Sequence, residues 1–335
     1  MGARARHAAG RRLDVVAAPQ QRLRLRAFKC SWTTLMNKLF RYFYSRLHLM
    51  RELQIRGASL LLVSVQNRSH VEHFVEHLSH KKTTDLLSRM LFGYRRIFSN
   101  LELAEAAAKP YEDGGHEALE ALHLELSSAA RPSDFAILFH LAQFPLDHLT
   151  IFDLGGSLGN LYYCYARYLH FGSDVKWIVF DLPTTVAKGR TLAQTRGATQ
   201  LEFCDSFECA SGADVLLASG SLHYFPTPLP TMIGGLAAKP RYVLINRTPL
   251  VDAPTAATVQ DAGPIRVACM LYNVDETIAQ FERIGYRLVD QWRTPELWLG
   301  VPLHPEYSMK SYRGLMFELA AQAQAGDATE PLAAA

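Results

Sequence analysis

Ile151-Phe-Asp-Leu-Gly-Gly-Ser-Leu-Gly-Asn160 is the stretch whose reading decides the fold. Apolar positions around one carboxylate, Asp153, run into Gly155 and Gly156 and then, through Ser157 and Gly159, into a segment of helical pattern. This order reads as a buried strand, a tight turn and the start of a helix. Glycine turns with φ > 0 at no Cβ penalty and lets backbone approach a ligand closely, so Gly155, Gly156 and Gly159 are expected to make room for a nucleotide-like cofactor. Ser157, just ahead of the helix, is a candidate cap and also a candidate contact to that cofactor.

Spacing narrows the choice of cofactor. A dinucleotide-binding turn wants glycine at its first, third and sixth positions, but counting from Gly155 the third is Ser157 and the sixth is Asn160. An NAD(P)-dependent oxidoreductase is therefore the weaker reading. An acid two residues before the first glycine, with glycines at the first, second and fifth positions, instead resembles motif I of class I S-adenosylmethionine-dependent methyltransferases. That resemblance implies S-adenosylmethionine as cofactor, with Asp153 near its amino-acid end.

The next apolar run, Trp177-Ile-Val-Phe-Asp-Leu-Pro183, ends in a carboxylate 22 positions after Gly159, the length of one helix, a loop and a strand. A carboxylate accepts hydrogen bonds from two neighbouring hydroxyls at once, so Asp181, with Leu182 beside it, is the candidate ribose-binding position. Leu201–Ser206 reads as a third strand that puts Asp205 and Ser206 beside an adenine. Ala213–Tyr224 reads as a long fourth strand carrying Ser219 and, at its end, His223. Arg241–Asn246, Tyr286–Trp292 and Ser311–Glu318 are the remaining strands. Ligands of open parallel sheets bind outside the carboxyl ends of the strands, where these polar residues collect.

From about Gly93 to Phe317 the chain resembles a family of bacterial methyltransferases found in surface-polysaccharide contexts. Gly93-Tyr-Arg-Arg-Ile-Phe-Ser99, the glycine turn, Val243-Leu-Ile-Asn-Arg-Thr-Pro249 and Tyr312-Arg-Gly-Leu-Met-Phe317 carry that resemblance. The central strands are also similar to small-molecule O-methyltransferases, through the glycine turn, Phe180-Asp-Leu-Pro183 and His223. Those enzymes commonly continue with Asp-Trp where this chain has Tyr224 and Phe225, a departure that bears on the catalytic base and not on the cofactor. The implied fold is α/β: a Rossmann-like, seven-stranded, doubly wound sheet with a terminal antiparallel hairpin, behind a helical N-terminal region. The implied reaction is methyl transfer to a small-molecule or glycan acceptor, with oxygen the favoured atom.

An in-line displacement at a sulfonium carbon depends on alignment and on exclusion of water, and a hydroxyl nucleophile must also lose its proton. His223 is the candidate base, since imidazole titrates near working pH. The alternative is that His223 only caps its strand or contacts the cofactor, and a non-catalytic nucleoside-binding scaffold is the corresponding reading of the whole chain. Asn246–Asn273 is a long connection with Pro249, Pro254 and Gly263-Pro264, of a length that commonly carries substrate contacts. Arg247, Gln260, Tyr272 and Asn273 are its polar candidates, and Arg293–Lys310, with Trp298, His304 and Tyr307, is a second excursion.

With 49% apolar and 20% charged residues over 335 positions, the composition is that of a globular chain and excludes wholesale disorder. Five scattered cysteines without a C-x-x-C pair argue against a disulfide framework and a zinc ribbon, which points to a reducing cytoplasm. Leu60–Val65 is the longest candidate apolar run, too short to span a bilayer. Charge is divided: residues 1–51 hold twelve Lys and Arg against one acid, Asp14, while the remainder holds 23 against 31.

The basic part admits an RNA- or membrane-binding arm, because Leu35, Leu39, Phe40, Phe43, Leu47 and Met50 recur at helical spacing among Lys38, Arg41 and Arg46. A targeting peptide is disfavoured by the missing apolar core. The preferred reading is a loosely structured extension, or an over-extended start with Met50 or Met90 as the true beginning. Accordingly no nucleic-acid partner is expected, while peripheral membrane contact stays open. His70, His73, His77 and His80 would share a helix face, but an adjoining apolar stripe favours packing or surface roles over a metal site. The expected organisation is an extension over 1–50, a helical segment over 51–92, a helical cap over 93–150, a catalytic domain over 151–320 and a disordered tail over 321–335. The oligomeric state is left open.

Overall fold

A computed structural model of the chain describes residues 94–108, 124, 128–261, 266–301 and 304–320. The basic extension, the histidine-bearing segment, the Pro110–Gly115 and Gly263-Pro264 loops and the C-terminal tail lie outside these residues. In chain order the elements are β1 (Tyr94–Phe98), α1 (Leu101–Ala108), α2 (Asp134–Leu141), β2 (Thr150–Leu154), α3 (Asn160–Tyr165), β3 (Lys176–Phe180), α4 (Pro183–Arg196), β4 (Leu201–Cys204) and β5 (Val215–Ser219). They continue with α5 (Leu229–Gly234), β6 (Tyr242–Thr248), β7 (Ala256–Asp261), β8 (Arg266–Leu271), α6 (Val274–Arg283), β9 (Tyr286–Thr294) and β10 (Tyr312–Leu319).

Seven strands form one sheet in the order β4-β3-β2-β5-β6-β10-β9. The first five pair in parallel, and β10 runs antiparallel to both β6 and β9. Parallel strands need covered faces, and their near-continuous apolar runs follow from that need. Ile151, Trp177, Val215 and Leu244 face a layer built with α2, α3 and α4. Phe152, Leu216, Val243, Ile245 and Phe317 face the opposite layer, where α5 and α6 contribute Ile233 and Phe281. The sheet is thus doubly wound, as the sequence implies. Among the described residues no helix is long and apolar enough to cross a membrane.

Local chemistry sets the helix ends. Pro183 opens α4, where its missing N–H is no loss, and Gly197 closes it with φ 64° while the N–H of Ala198 reaches back to Ala193 O at 3.0 Å. Asn273 caps α6 by accepting from the Glu276 N–H at 2.8 Å.

Three expectations are corrected. The expected fourth strand is shorter, because Gly220 turns with φ 79° and Leu222–Tyr224 forms a single 3₁₀ turn beyond it. The 93–150 region is not wholly helical, since it begins with strand β1. The long connection after β6 is largely a hairpin: β7 and β8 pair antiparallel, and with β1 on the other side of β7 they form a second, three-stranded sheet. Ala104 and Ala108 of α1 pack on that sheet against Ala257 and Val259. Two six-residue runs around Gly263-Pro264 were the available signal.

At the antiparallel edge, Trp292 of β9 lies across Gly314 of β10 so closely that a Cβ there would overlap the indole. Gly314→Ala is therefore expected to destabilise the fold by about 1–3 kcal/mol, read as a lower urea midpoint with an unchanged slope. An unaltered midpoint would mean that the indole does not lie over this strand.

Candidate active site

The chain direction reverses its order in the sheet at β2, with β3 on one side and β5 on the other, so the cleft outside the ends of β2 and β5 is the topological switch point where open α/β sheets bind ligands. The turn after β2 has alternate residues in the left-handed region: Gly155 at φ 71°, Ser157 at 57° and Gly159 at 83°. For serine that conformation costs about 1–2 kcal/mol. Two bonds from the neighbouring strand hold the turn: Gly155 N–H donates to Phe180 O at 2.7 Å, and Ser157 N–H donates to an Asp181 oxygen at 2.8 Å. The other Asp181 oxygen accepts from Leu182 N–H at 2.7 Å.

Asp181 thus stands half-buried at the end of β3 as expected, and it also anchors the turn. Leu182 beside it is 61% exposed. Asp205 and Ser206 follow β4 on the surface, with Ser206 capping the short 3₁₀ turn Phe207–Ala210 by accepting from Glu208 N–H. Phe207 packs edge-on against Phe152 and Phe180 beneath that rim.

The glycines also have a packing role that the sequence did not show. Their missing side chains leave space that protein atoms fill: a Cβ on Gly155 would overlap Ser221, one on Gly156 would lie 2.5 Å from Asp153 Oδ2, and one on Gly159 would lie 2.6 Å from Leu201 Cδ2. They let the turn settle onto the sheet. Ser221, missed from sequence, completes the packing by donating from Oγ to Leu154 O. Ser157 does not cap α3 with its side chain, since the residue at the cap position is Gly159.

Asp153 is 1% exposed, and its Oδ2 accepts from Trp177 Nε1 at 3.1 Å. It lies under the turn rather than on the cleft surface. Burial raises its pKa to about 7, with the Asp181 charge adding to the rise and the Trp177 N–H opposing it.

Around the ends of β5 and β6 the polar groups are denser. Asn246 is fully buried and its side chain makes three hydrogen bonds: Nδ2 donates to Ser133 O at 3.3 Å and to Ser219 Oγ at 3.2 Å, and Oδ1 accepts from Trp292 Nε1 at 2.9 Å. Beside it the pairing of β6 with β10 shifts register between Arg313 and Leu315, and Arg247 takes a left-handed φ of 53°. Its side chain passes Gly220, whose Cβ would stand 3.9 Å from that of Arg247. Asp134 at the start of α2 is buried, bound by Arg131 N–H at 2.8 Å and Tyr165 OH at 3.0 Å. Glu296 accepts from the backbone N–H and hydroxyl of Ser133. Sequence reading missed Asn246, Trp292, Asp134 and Glu296. A polar pair inside the apolar run Val243-Leu-Ile-Asn-Arg was the one visible sign.

His223 lies in the 3₁₀ turn, 3% exposed, with Tyr224 packed on its ring at 4.1 Å between centroids. Burial, and then the charge of Arg247, lower its pKa to about 3. Three buried polar atoms here lack a hydrogen-bond partner among the described residues: His223 Nδ1, Arg247 Nε and Glu296 Oε2. A buried polar atom without a partner costs about 1–3 kcal/mol, a cost that a polar ligand reaching it would relieve.

The other polar candidates are engaged within the protein. Gln260 on β7 accepts from Tyr224 OH at 2.7 Å, which ties the small sheet to the His223 turn. Tyr272 is buried and donates to Phe225 O at 2.6 Å, and the Asn273 amide donates to Asp252 O and Ala253 O while its oxygen caps α6. These bonds position the cleft wall from behind.

No protein-family model and no curated protein matches the chain. Solved structures similar to it include 1,6-didemethyltoxoflavin-N1-methyltransferase of Burkholderia thailandensis with bound 1,6-didemethyltoxoflavin and S-adenosylhomocysteine, at 17% identity over 65% of this chain and 88% of that one, TM-score 0.40. The magnesium protoporphyrin IX methyltransferase of Synechocystis with bound S-adenosylhomocysteine is similar at 15% identity over 58% of this chain and 82% of that one, TM-score 0.39. An O-methyltransferase family protein from Burkholderia thailandensis is similar at 16% identity over 62% of this chain and 60% of that one, TM-score 0.39.

The state of Asp153 has a measurable consequence. Because its folded pKa is raised, the native chain keeps a proton there that the unfolded chain releases near pH 4. The favourable contribution is complete at acidic pH and is lost as pH rises toward about 7. Asp153→Asn retains an acceptor for Trp177 and abolishes the titration, so its melting temperature is expected to exceed that of the wild type near about pH 8 and to match it only below the unfolded pKa, near about pH 3. Equal shifts at both values would show that folding does not raise the pKa of this carboxyl.

Proposed function

We propose that this chain is an S-adenosylmethionine-dependent methyltransferase acting on a hydroxyl of a small-molecule or glycan acceptor. One observation supports the reading: the left-handed turn after β2, the Asp181 carboxylate after β3 and His223 after β5 all follow the carboxyl ends of adjacent parallel strands, on one edge at the switch point of the sheet. The residues fit a nucleoside there. Asp181, held at the end of β3 by the N–H groups of Ser157 and Leu182, is the type of group that receives a pair of ribose hydroxyls. Leu182 offers an exposed apolar side chain next to it, and Asp205 and Ser206 stand at the next strand end with accepting and donating groups for a base edge.

When bound, S-adenosylmethionine supplies a methyl carbon made electrophilic by a sulfonium charge. The chain's own part is to align the acceptor, exclude water and take up a proton. With a pKa of about 3, His223 is neutral across the physiological range and carries a lone pair able to receive the hydroxyl proton. A base of that strength accepts the proton only as the oxygen's new bond to carbon forms, which couples deprotonation to transfer.

Calorimetry with S-adenosylhomocysteine tests the cofactor site. Wild-type protein is expected to bind it, and Asp181→Ala to bind it more weakly by about 1.5–3 kcal/mol, the range for hydrogen bonds to a charged group. Binding of NAD⁺ with no binding of S-adenosylhomocysteine would replace this reading with an oxidoreductase. For the base, His223→Gln is expected to retain cofactor affinity and to slow transfer to any hydroxyl acceptor that the wild type methylates by about 10²–10⁴-fold. Undiminished turnover would remove His223 from the chemistry.

A further inference from the structure

We infer that Arg247 is an anion receptor in the acceptor half of the cleft, so that the acceptor is an acidic molecule whose single carboxylate docks on this guanidinium. The inference rests on the methyltransferase reading of the same cleft and adds the charge class of the substrate.

Arg247 is held in a costly arrangement. A left-handed backbone at a residue with a long side chain costs about 1–2 kcal/mol, and the strand is bulged at the same place. A bulge re-aims side chains, and bulges collect beside active sites for that reason. Asn246 maintains this one. Its three hydrogen bonds, each contributing about 0.5–1.5 kcal/mol, are enough to offset the strain, and they tie the bulge to α2, β5 and β9 together.

What the bulge aims is an arginine without a hydrogen bond or ion pair among the described residues. Its Nε is buried with no acceptor. The carboxylates nearest in charge are otherwise engaged: Asp134 by Arg131 and Tyr165, and one oxygen of Glu296 by Ser133. Burial, and then the Arg131 charge, lower the pKa of Arg247, so the site disfavours its own cation until an anion arrives. A guanidinium presents two parallel N–H donors that match a carboxylate. Asp134 and Glu296 stand close enough to act on Arg247, which favours a ligand with one negative charge over a doubly charged phosphate.

The location assigns the anion to the acceptor. Arg247 passes Gly220 and its charge reaches His223, the group placed to take the acceptor's proton. A carboxylate neutralising Arg247 also removes one of the two causes that hold His223 at low basicity, so binding of an acidic acceptor strengthens the base. An uncharged acceptor would leave the guanidinium unpaired and the imidazole weak.

The test is calorimetric titration of the S-adenosylhomocysteine complex with matched probes: D-glucuronate against D-glucose, and 4-hydroxybenzoate against 4-hydroxybenzyl alcohol. In at least one pair the acid is expected to bind the wild type about tenfold or more tighter than its neutral partner. Arg247→Gln should reduce that preference to about twofold or less while S-adenosylhomocysteine affinity stays within about twofold of wild type. Arg247→Gly, which relieves the left-handed strain, should show the same loss and guards against misfolding of the first variant. Absence of any acid preference in both pairs overturns the proposal, as does tighter binding of glucose 6-phosphate than of glucuronate. A loss of S-adenosylhomocysteine affinity with acid preference intact also overturns it, by assigning the guanidinium to the cofactor's own carboxylate. If wild type binds no S-adenosylhomocysteine yet the same probes show Arg247-dependent acid preference in its absence, the anion site stands and the methyltransferase reading fails.

Discussion

The hydrogen bond from Ser157 N–H to the Asp181 carboxylate joins the first turn of the sheet to the end of the second strand, and the cleft depends on it. Without that acceptor, a serine at φ 57° would have no reason to hold a left-handed backbone between two glycines. With it, Asp181 becomes a group already oriented by the protein and not a flexible surface acid. Such a carboxylate loses little freedom when it accepts further hydrogen bonds, which is the advantage of preorganisation. Under the proposed function, the residue that receives the ribose is also the one that shapes the bend beneath it.

A second strained element mirrors the first across the switch point. At β6 the bulge is stabilised by neutral groups, the buried Asn246 and Ser133 and the half-buried Ser219 and Trp292, and it presents a charged one, Arg247. Every side-chain hydrogen bond of Asn246 crosses to a different segment, so the position of Arg247 is set by the packing of α2 and the terminal antiparallel strands on the parallel core. The Trp292 indole fits only because Gly314 leaves the adjacent strand bare. His223 Nδ1, Arg247 Nε and Glu296 Oε2 are buried without a hydrogen-bond partner among the described residues, and each forgoes stability that a polar partner would restore.

The small sheet β1-β7-β8 gives the site its back wall. Strand β8 packs on the His223 turn, and the Tyr224–Gln260 bond joins that turn to β7. Candidate ligand contacts in this region turned out to be tied inward, because Tyr272 and Asn273 satisfy backbone groups where β8 passes into α6. A loop rich in proline, glycine and polar residues looks like a binding loop from composition alone. The hairpin in it depends on pairing with β1, more than 150 positions earlier, which no local pattern reveals.

The amino-acid sequence by itself determined the doubly wound sheet, the position of the turn after β2 and the acid that ends β3, because these follow from local regularities: apolar runs, punctuating glycines and the length of one helical crossover. It also marked His223 as a polar residue closing an apolar run. Only the tertiary structure decided that the glycines pack against Ser221, Asp153 and Leu201, that Asp153 lies beneath the turn, and that Arg247 acts on His223 while making no hydrogen bond or ion pair among the described residues. Those facts concern which distant segments share a space. Burial, charge and hydrogen-bond partners are properties of that shared space, and they exist only once the strands have been laid side by side.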